Sequence, residues 1–327
     1  MKIIVTGATG AFGAALTKYL ASKGYTVIAT GRMSKPPAEL LRLATYVPAD
    51  ITKPFTLPEA DVCIHAAALS DDKASAKDLY TPNVIGTKNV VDAASGCKKF
   101  IFISSSSVYL PQPEPILEEI AGKQNNNQLS PYGKSKLLSE EALKETYSGE
   151  HCFILRPRAF YGPGDTQIIP RMLKLVKNGT LNKPGSLQIE LSMTHYENMG
   201  KAVECCLASD KKGVNTYNVA DEEVYQLITV MRKLTEALYG APLKEKQIPI
   251  GLLKALAFFK IGGFTPLLVR ALSQNMVLDI SKIKQELGYS SQITLDESLA
   301  EIKKWVDQIG GPEILKTGDR KLIWQPN

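Results

Sequence analysis

Short apolar runs alternate with segments of helical periodicity through the first half of the chain. Apolar residues at helical spacing predict helices over 14–20, 83–94 and 130–147. The apolar runs predict β-strands, and they lie at 2–5, 26–30, 45–49, 62–66, 99–103 and 152–155. Because these runs are apolar along nearly their whole length, both faces of each strand must be buried, as in a parallel sheet covered by helices on both sides. We therefore expect an α/β fold with a doubly wound parallel sheet.

The second half of the chain is less regular and predicts a smaller lobe. Residues 166–177 and 198–208 predict helices, and 216–219 predicts a strand. We expect a first domain over residues 1–160 and a smaller, mostly C-terminal lobe over residues 161–327.

A glycine-rich turn joins the first strand to the first helix. The sequence TGATGAFG at 6–13 follows the strand directly. Strand, glycine turn and helix are the context in which such a motif binds a dinucleotide. Gly7 allows the tight turn, Gly10 lets the backbone approach a pyrophosphate at the helix N-terminus, and Gly13 permits close packing of helix on strand. This motif predicts a dinucleotide cofactor.

Composition limits the class of protein further. The 327 residues are 44% hydrophobic and 22% charged, which is ordinary for a globular protein and argues against disorder. The net charge of +6 suits an anionic ligand, but the basic residues are scattered, so we expect no nucleic-acid partner. Five cysteines without a C-x-x-C motif, and three dispersed histidines, predict reduced structural thiols and no metal site.

The distribution of apolar residues predicts where the protein resides. The N-terminus leads directly into a strand, so we expect no signal peptide and a cytoplasmic protein. The most apolar stretch, 251–269, is interrupted by Lys254, Lys260 and Pro266, so it cannot span a membrane as one helix. We expect no integral membrane span and place this stretch in the core of the lobe, with shallow membrane contact as the alternative.

A tyrosine and a lysine lie on one face of the helix predicted over 130–147. Tyr132 and Lys136 are four residues apart, so their side chains are neighbours on the helix surface. The ordinary pKa of tyrosine, near 10, is too high for acid–base work at neutral pH, and a nearby ammonium lowers it. Tyr132 could then exchange a proton with a substrate hydroxyl or carbonyl.

Serines follow the strand predicted over 99–103. Ligands in open α/β sheets bind beyond the carboxyl ends of the strands, where the hydroxyls of residues 104–107 would emerge. A serine there could hydrogen-bond the substrate oxygen and stabilise developing charge. The four consecutive serines leave the individual roles open.

Taken together, these segments resemble the extended short-chain dehydrogenase/reductase family, also called the NAD-dependent epimerase/dehydratase family. The motifs that carry the resemblance occur in family order. They are TGATGAFG at 6–13, DI at 50–51, HAAA at 65–68, NVIGT at 83–87, SSSSVY at 104–109, YGKSK at 132–136, LRP at 155–157 and YGPGD at 161–165.

The resemblance implies a role for each matching residue. Ser105 matches the catalytic Ser/Thr, Tyr132 the acid–base residue, and Lys136 the lysine that also holds the nicotinamide ribose. The first domain would be an NAD(P)-binding Rossmann domain, to which residues 190–220 return, and the lobe would bind the substrate. The residues expected to bind the cofactor are Gly7, Thr9, Gly10, Ala11, Phe12, Gly13, Arg32, Asp50, Ile51, Ala66, Ala67, Ala68, Asn83, Tyr132, Lys136 and Pro157.

The end of the second strand indicates which cofactor is used. NAD enzymes of this fold usually place an acidic residue there to bind the ribose 2′-hydroxyl. This chain has Gly31-Arg32 instead, and an arginine suits the 2′-phosphate of NADP. We expect NADP, with NAD as the alternative.

The later motifs resemble the branch that contains 3β-hydroxysteroid and sterol dehydrogenases. The resemblance implies an oxidoreductase that interconverts a secondary alcohol and a ketone on a small or lipophilic substrate, and a homodimer as the assembly. Dehydratases generally carry an acidic pair where this chain has Ser106-Ser107, which counts against dehydration. A sugar-nucleotide epimerase with tightly bound NAD remains an alternative, and a non-catalytic NADP-binding regulator is a third, against which the intact Ser105, Tyr132 and Lys136 argue.

Overall fold

Strands and helices alternate from the N-terminus to the middle of the chain. A computed structural model describes residues 1–71, 74–259 and 266–324. The elements of the first half are β1 (Lys2–Thr6), α1 (Ala11–Ser22), β2 (Thr26–Gly31), α2 (Ala38–Leu43), β3 (Thr45–Pro48), β4 (Val62–His65), α3 (Ala76–Tyr80), α4 (Gly86–Ala93), β5 (Lys99–Ile103), α5 (Pro131–Thr146) and β6 (His151–Pro157).

The second half contains shorter strands and more helices. Its elements are β7 (Phe160–Tyr161), α6 (Ile168–Leu173), β8 (Val176–Lys177), β9 (Thr180–Pro184), β10 (Glu190–Leu191), β11 (Thr194–His195), α7 (Tyr196–Ala208), β12 (Gly213–Val219), β13 (Tyr225–Gln226), α8 (Leu227–Tyr239), β14 (Lys244–Ile248), α9 (Ile250–Phe258), α10 (Pro266–Ala271), α11 (Ser281–Leu287), α12 (Leu295–Gln308) and α13 (Pro312–Leu315).

Seven strands form one parallel sheet in the order β12-β6-β5-β4-β1-β2-β3. The chain runs outward in one direction from β1 to β3 and then in the other from β4 to β12, so the order reverses between β1 and β4. Ligands of open α/β sheets bind at the carboxyl ends of the strands beside such a reversal. The predicted doubly wound parallel sheet is confirmed.

Alternation along the strands builds a core on each face of the sheet. On β1, Ile3 and Val5 face α1 and α7, where they join a cluster that includes Leu16 and Met199. Ile4 faces the opposite side and packs in a second cluster with residues of α4 and α5. Because both faces are covered, the sheet is buried and only its edges reach solvent.

The C-terminal half contributes both to the sheet and to a separate core. Strand β12 pairs with β6 over its whole length, from Gly213 beside His151 to Val219 beside Pro157. A further hydrophobic cluster lies between α8 and α12, with Trp305 among its buried residues. The division of the chain at residue 160 stays a prediction.

One predicted helix is wrong at its C-terminal end. Helix α6 ends at Leu173, and Val176–Lys177 forms β8, which pairs antiparallel with β9. Asn178 and Gly179 between these strands have φ values of +49° and +66°. Two successive residues with positive φ form the turn that an Asn-Gly pair favours in a hairpin, and this turn overrides the helical periodicity.

The apolar stretch near 251–269 is only partly buried. Leu253 and Ala257 on α9 pack with Val269 in a small cluster. Phe258 and Phe259 are 79% and 68% exposed, so the prediction that this stretch lies in the core is wrong for them. Residues 260–265, which include Lys260, lie outside the described residues. Among the helices that the structure describes, none is long and apolar enough to cross a membrane.

Candidate active site

The glycine turn after β1 is packed too tightly for side chains. Gly7 has φ +71°, and a Cβ there would lie 2.7 Å from Cα of Ala67. A Cβ on Gly13 would overlap the carbonyl oxygen of Gly7. Helix α1 begins at Ala11 after Gly10, which offers no capping side chain. The first-turn N–H groups are therefore directed at a space that only backbone borders, and this cradle fits the pyrophosphate of a dinucleotide.

The aromatic residue in this turn serves packing as well. The ring of Phe12 stacks on Phe160, with centroids 4.5 Å apart, and is tilted against Tyr196. Only the backbone of Phe12 is therefore available to an anion. This contact also fixes the segment that follows β6 against the glycine turn.

The residues expected at the adenosine end lie just beyond the neighbouring strands β2 and β3. A Cβ on Gly31 would lie 2.8 Å from Oγ1 of Thr9. Arg32 is exposed, and its positive charge contributes to lowering the pKa of Asp50, after the larger effect of hydrogen bonds from Thr52. Asp50 accepts those bonds from the Thr52 amide and hydroxyl at 3.1 and 2.8 Å, so it caps a local turn.

The predicted residue beside Asp50 is enclosed by helix α4. Ile51 is buried, and a Cβ on Gly86 would lie 2.9 Å from its Cδ1. Its carbonyl oxygen accepts a hydrogen bond from Asn89 at 2.8 Å. Ile51 can therefore present an apolar wall to the cofactor.

A buried histidine holds the loop of residues 66–68 against the glycine turn. The Thr6 hydroxyl lies 2.7 Å from Nδ1 of His65 and accepts a 3.2 Å hydrogen bond from the Ala67 N–H. Nε2 of His65 lies 3.2 Å from the Thr87 hydroxyl. Burial, and secondarily the charge of Lys136, lower the pKa of His65 to about 3. His65 is therefore a neutral structural anchor, a role that the motif HAAA did not reveal.

Asn83 connects this loop to the helix that carries the expected catalytic residues. Its amide nitrogen donates to the Ser135 hydroxyl on α5 at 2.9 Å and to the Leu69 carbonyl at 3.0 Å, and its amide oxygen accepts from the Leu69 N–H at 2.7 Å. A π-helical turn over Thr81–Ile85 precedes α4 and places Asn83 there. Asn83 thus sets the position of α5 relative to the cofactor loop.

Helix α5 begins in direct contact with the loop that carries Ser105. Ser130 caps the helix by accepting the Gly133 N–H at 2.9 Å. A Cβ on Gly133 would overlap the carbonyl oxygen of Ser107. The Ser105 hydroxyl accepts the Ser107 N–H at 3.1 Å. Because Tyr132 and Ser105 each lie within two residues of this contact, the structure brings them to the same edge of the sheet.

Lys136 lies one turn deeper, and its ammonium is enclosed. Nζ donates to the Ile103 carbonyl at 2.8 Å and lies 4.1 Å from the centroid of the Phe102 ring. Burial lowers the pKa of Lys136 to about 7, and the negative charge of Glu140 partly opposes this effect. The lysine therefore lies at the end of β5, beneath the helix turn that carries Tyr132.

A buried ion pair underlies this lysine. Glu140, one further turn along α5, accepts hydrogen bonds from Nε of Arg156 at 2.9 Å and from the Ser104 hydroxyl at 2.5 Å. Arg156 also donates to the Tyr109 hydroxyl at 2.7 Å. Sequence reasoning did not assign Glu140 a role, although its spacing of four from Lys136 places it on the same helix face.

The predicted cofactor residue Pro157 ends β6 at the same edge, paired with Val219. The glycine turn, the loop of residues 66–68, Asn83, Ser105, Tyr132, Lys136 and Pro157 thus converge on the carboxyl ends of β1, β4, β5 and β6. A model of the NAD dependent epimerase/dehydratase family matches residues 3–220. The chain belongs to this family.

Relatives of this family member carry names of several activities. The "Uncharacterized protein YbjS" of Escherichia coli is 28% identical, covering 95% of this chain and 99% of that protein. A "2-alkyl-3-oxoalkanoate reductase" of Stenotrophomonas maltophilia is 25% identical, covering 93% and 98%. A "3beta-hydroxysteroid-dehydrogenase/decarboxylase isoform 1" of Arabidopsis thaliana is 29% identical, covering 80% and 66%. The expected resemblance to the hydroxysteroid dehydrogenase branch is thereby confirmed.

A solved structure supports the fold. The UDP-glucuronic acid 4-epimerase of Bacillus cereus, in complex with NAD, superposes with a TM-score of 0.71 at 22% identity. The match covers 94% of this chain and 99% of that protein. At this identity the likeness shows the fold alone.

Proposed function

We propose that this family member is an NAD(P)-dependent oxidoreductase that interconverts a secondary alcohol and a ketone on a small or lipophilic substrate. The observation that supports the proposal is the Gly133–Ser107 contact, which joins the helix turn of Tyr132 to the loop of Ser105, with the buried Lys136 one turn along the same helix. This arrangement supplies an acid–base group, a hydrogen-bond donor and a cation at one edge of the sheet.

Each of the three side chains has a defined task in reduction. When bound, the dinucleotide would supply the hydride for reduction of the carbonyl group. Tyr132 donates its phenolic proton to the carbonyl oxygen as that oxygen gains charge, and the Ser105 hydroxyl hydrogen-bonds the same oxygen. The Lys136 ammonium stabilises the phenolate that Tyr132 leaves behind. Oxidation of the alcohol runs the same steps in reverse.

We further propose that the cofactor is NADP. Arg32 is exposed just beyond β2 and follows Gly31, which packs against Thr9 of the glycine turn. An unhindered guanidinium at this position suits a 2′-phosphate, which it would bind through two charge-assisted hydrogen bonds. The NAD named in the Bacillus cereus structure makes NAD the alternative.

The names of the relatives include reductases and a UDP-glucose 4-epimerase. The Stenotrophomonas maltophilia reductase matches along nearly the whole of both chains. An epimerase with bound NAD is the second candidate, supported by the UDP-glucose 4-epimerase of Vibrio cholerae, which is 29% identical and covers 90% of this chain. These two functions differ in how the cofactor is handled, because a reductase exchanges it in each cycle and an epimerase retains it.

That difference provides the test. We expect little nicotinamide in the supernatant after acid denaturation of the purified protein, and oxidation of NADPH with apolar ketones but none that depends on a nucleotide sugar. Tyr132→Phe should abolish this turnover while leaving cofactor affinity nearly intact, because only the transferable proton is lost. Stoichiometric bound NAD together with interconversion of sugar-nucleotide epimers would replace the proposal with the epimerase.

A further inference from the structure

Arg158, the first residue beyond β6, carries a half-buried guanidinium group that no carboxylate of the described residues neutralises. Its Nε is enclosed and makes no hydrogen bond, and within the described ranges its side chain has no acceptor and no carboxylate partner. Thr194 satisfies only its backbone, accepting the Arg158 N–H at 3.2 Å and donating to its carbonyl at 2.8 Å. Burial alone lowers the pKa of Arg158 to about 10, and no negative charge counteracts it.

Arg156, two residues earlier in the sequence, is a structural arginine whose charge is paired with a carboxylate. Arg156 is bound at both Nε and Nη2 by the carboxylate of Glu140, at 2.9 and 2.5 Å. An enclosed guanidinium nitrogen without such a partner is unfavourable, because its lost hydrogen bond to water is not replaced. A residue retained in that state is typical of a site that awaits an anion.

The register of β6 and α5 predicts that Arg158 lies at the depth of Lys136. Arg156 meets Glu140, and alternation continued one residue beyond the end of β6 predicts the same face of the sheet for Arg158. Two residues further along a strand advance by about 6.6 Å. One turn back along α5, which runs antiparallel to the strand, reaches Lys136 after about 6 Å. Ideal geometry therefore predicts that Arg158 lies at the carboxyl edge, level with Lys136 and one turn short of Tyr132.

The anions of the cofactor have other candidate partners. The pyrophosphate fits the glycine turn at the start of α1, and Arg32 is the candidate for a 2′-phosphate. What remains at the nicotinamide end is an anion of the substrate, and a planar guanidinium matches a carboxylate through two parallel hydrogen bonds. We propose that Arg158 binds a carboxylate that the substrate carries beside its reacting carbonyl, as in a 3-oxo acid.

This proposal rests on the proposed function only for the reacting carbonyl, so binding of the carboxylate is measured without turnover. Octanoate and octanamide are titrated calorimetrically into the protein saturated with NADP⁺, for the wild type, Arg158→Met and Arg158→Lys. Arg42→Met, an exposed arginine on α2, is the matched control. We expect the wild type and Arg42→Met to bind octanoate at least tenfold more tightly than octanamide, Arg158→Lys to keep part of this preference, and Arg158→Met to lose it.

Three results would overturn the assignment. The first is equal affinity of the wild type for octanoate and octanamide, and the second is an undiminished preference for octanoate in Arg158→Met. The third is a tenfold loss of NADP⁺ affinity in Arg158→Met, because this loss would assign the guanidinium to the cofactor diphosphate. The thermal midpoint of the ligand-free Arg158→Met protein should be no lower than that of the wild type, because an unpaired buried charge is removed while the aliphatic stem is retained. A midpoint several degrees lower would show that Arg158 serves the fold and would also overturn the assignment.

Turnover separates the two proposals. With NADPH, the wild type should reduce 3-oxooctanoate with a KM at least tenfold below that for its methyl ester, and Arg158→Met should equalise the two values. If neither compound is reduced but octanoate is still preferred, the proposed function fails and the carboxylate site stands. If both are reduced with equal KM by the wild type, the function stands and the carboxylate site fails.

Discussion

Lys136 is a cation in surroundings that solvate it poorly. Its ammonium has a carbonyl oxygen and an aromatic face as neighbours, and Glu140, the nearest opposing charge, is already bound to Arg156. Burial therefore brings the pKa of Lys136 down to about 7, so amine and ammonium are both populated near neutral pH. The Lys136 ammonium, whose charge would stabilise the Tyr132 phenolate, therefore loses its proton near neutral pH.

This has a measurable effect on stability. The pKa of Lys136 is lower in the folded protein, about 7, than the ordinary lysine value of 10.5. Between these values the unfolded chain binds a proton that the folded protein does not, so this residue makes the free energy of unfolding rise with pH. We expect urea titrations from pH 7 to 9.5 to show a slope up to about 1.4 kcal/mol per pH unit steeper in the wild type than in Lys136→Met.

The control is Lys144→Met, an exposed lysine on the same helix, whose slope should equal that of the wild type. Equal slopes in the wild type and Lys136→Met would mean that the amine is solvated in the folded protein.

Spacing alone predicted that Tyr132 and Lys136 share a helix face, because that relation is local. It could not predict that Glu140 pairs with Arg156, since the pair depends on which strand α5 packs against. The same holds for Arg158, whose lack of a partner is visible only once its surroundings are known.

At the scale of elements, the junction between β5 and α5 sets the geometry of the site. The first turn of α5 approaches the backbone of Ser107 so closely that Gly133 has no room for a Cβ. The loop after β5 is itself turned by the Ser105 hydroxyl, which accepts the Ser107 N–H. Because of this close contact, we expect a shift of the first turn of α5 to be accompanied by a shift of the loop after β5.

We expect Gly133→Ala to lower turnover about 100-fold or more, since it separates Tyr132 from Ser105. Crowding of the helix start should also reduce the free energy of unfolding by about 1–3 kcal/mol. Steady-state kinetics and urea denaturation measure the two effects. Gly96→Ala is the matched control, because a Cβ there meets nothing within 4 Å, and it should leave both quantities unchanged. Full activity in Gly133→Ala would show that the close contact is dispensable.

Elements whose pattern is local were predicted, and those set by distant pairing were not. Residues 99–103 were predicted and observed as a strand with the same bounds, because the run is apolar throughout. The helix predicted over residues 166–177 is too long, because the periodicity of the segment is helical throughout. The Asn178-Gly179 turn that folds β8 onto β9 lies just beyond the segment. Strand β12 is longer than predicted because its first residues gain their structure from β6.

At the scale of the molecule, Asn218 ties the sheet to the C-terminal segments. Its amide nitrogen donates to the carbonyls of Ile116 and Asp279 at 2.8 and 3.1 Å, and its amide oxygen accepts from the Tyr109 hydroxyl at 2.7 Å. Its N–H donates to Glu118 at 2.8 Å. Segments more than 60 positions away in the sequence thus meet at one buried side chain.

Replacing Asn218 with Ala should leave several buried polar groups without partners and reduce the free energy of unfolding by about 2–4 kcal/mol. Asn215→Ala on the same strand removes bonds only to the nearby carbonyls of Lys212 and Gly213 and should change it by less than about 0.5 kcal/mol. Urea denaturation distinguishes the two variants. If both variants lost a similarly small free energy of unfolding, the hydrogen bonds of Asn218 would not be what holds these segments together.

The pairing of β12 with β6 also bears on how the chain is synthesised. When the ribosome has released residues 1–160, β6 has its partner β5 but not β12, and its other edge, which includes Cys152, Phe153, Ile154 and Leu155, is open. An apolar strand with an open edge is a template for pairing with another chain. During synthesis the chain is therefore prone to aggregate until Gly213–Val219 has emerged and paired with β6.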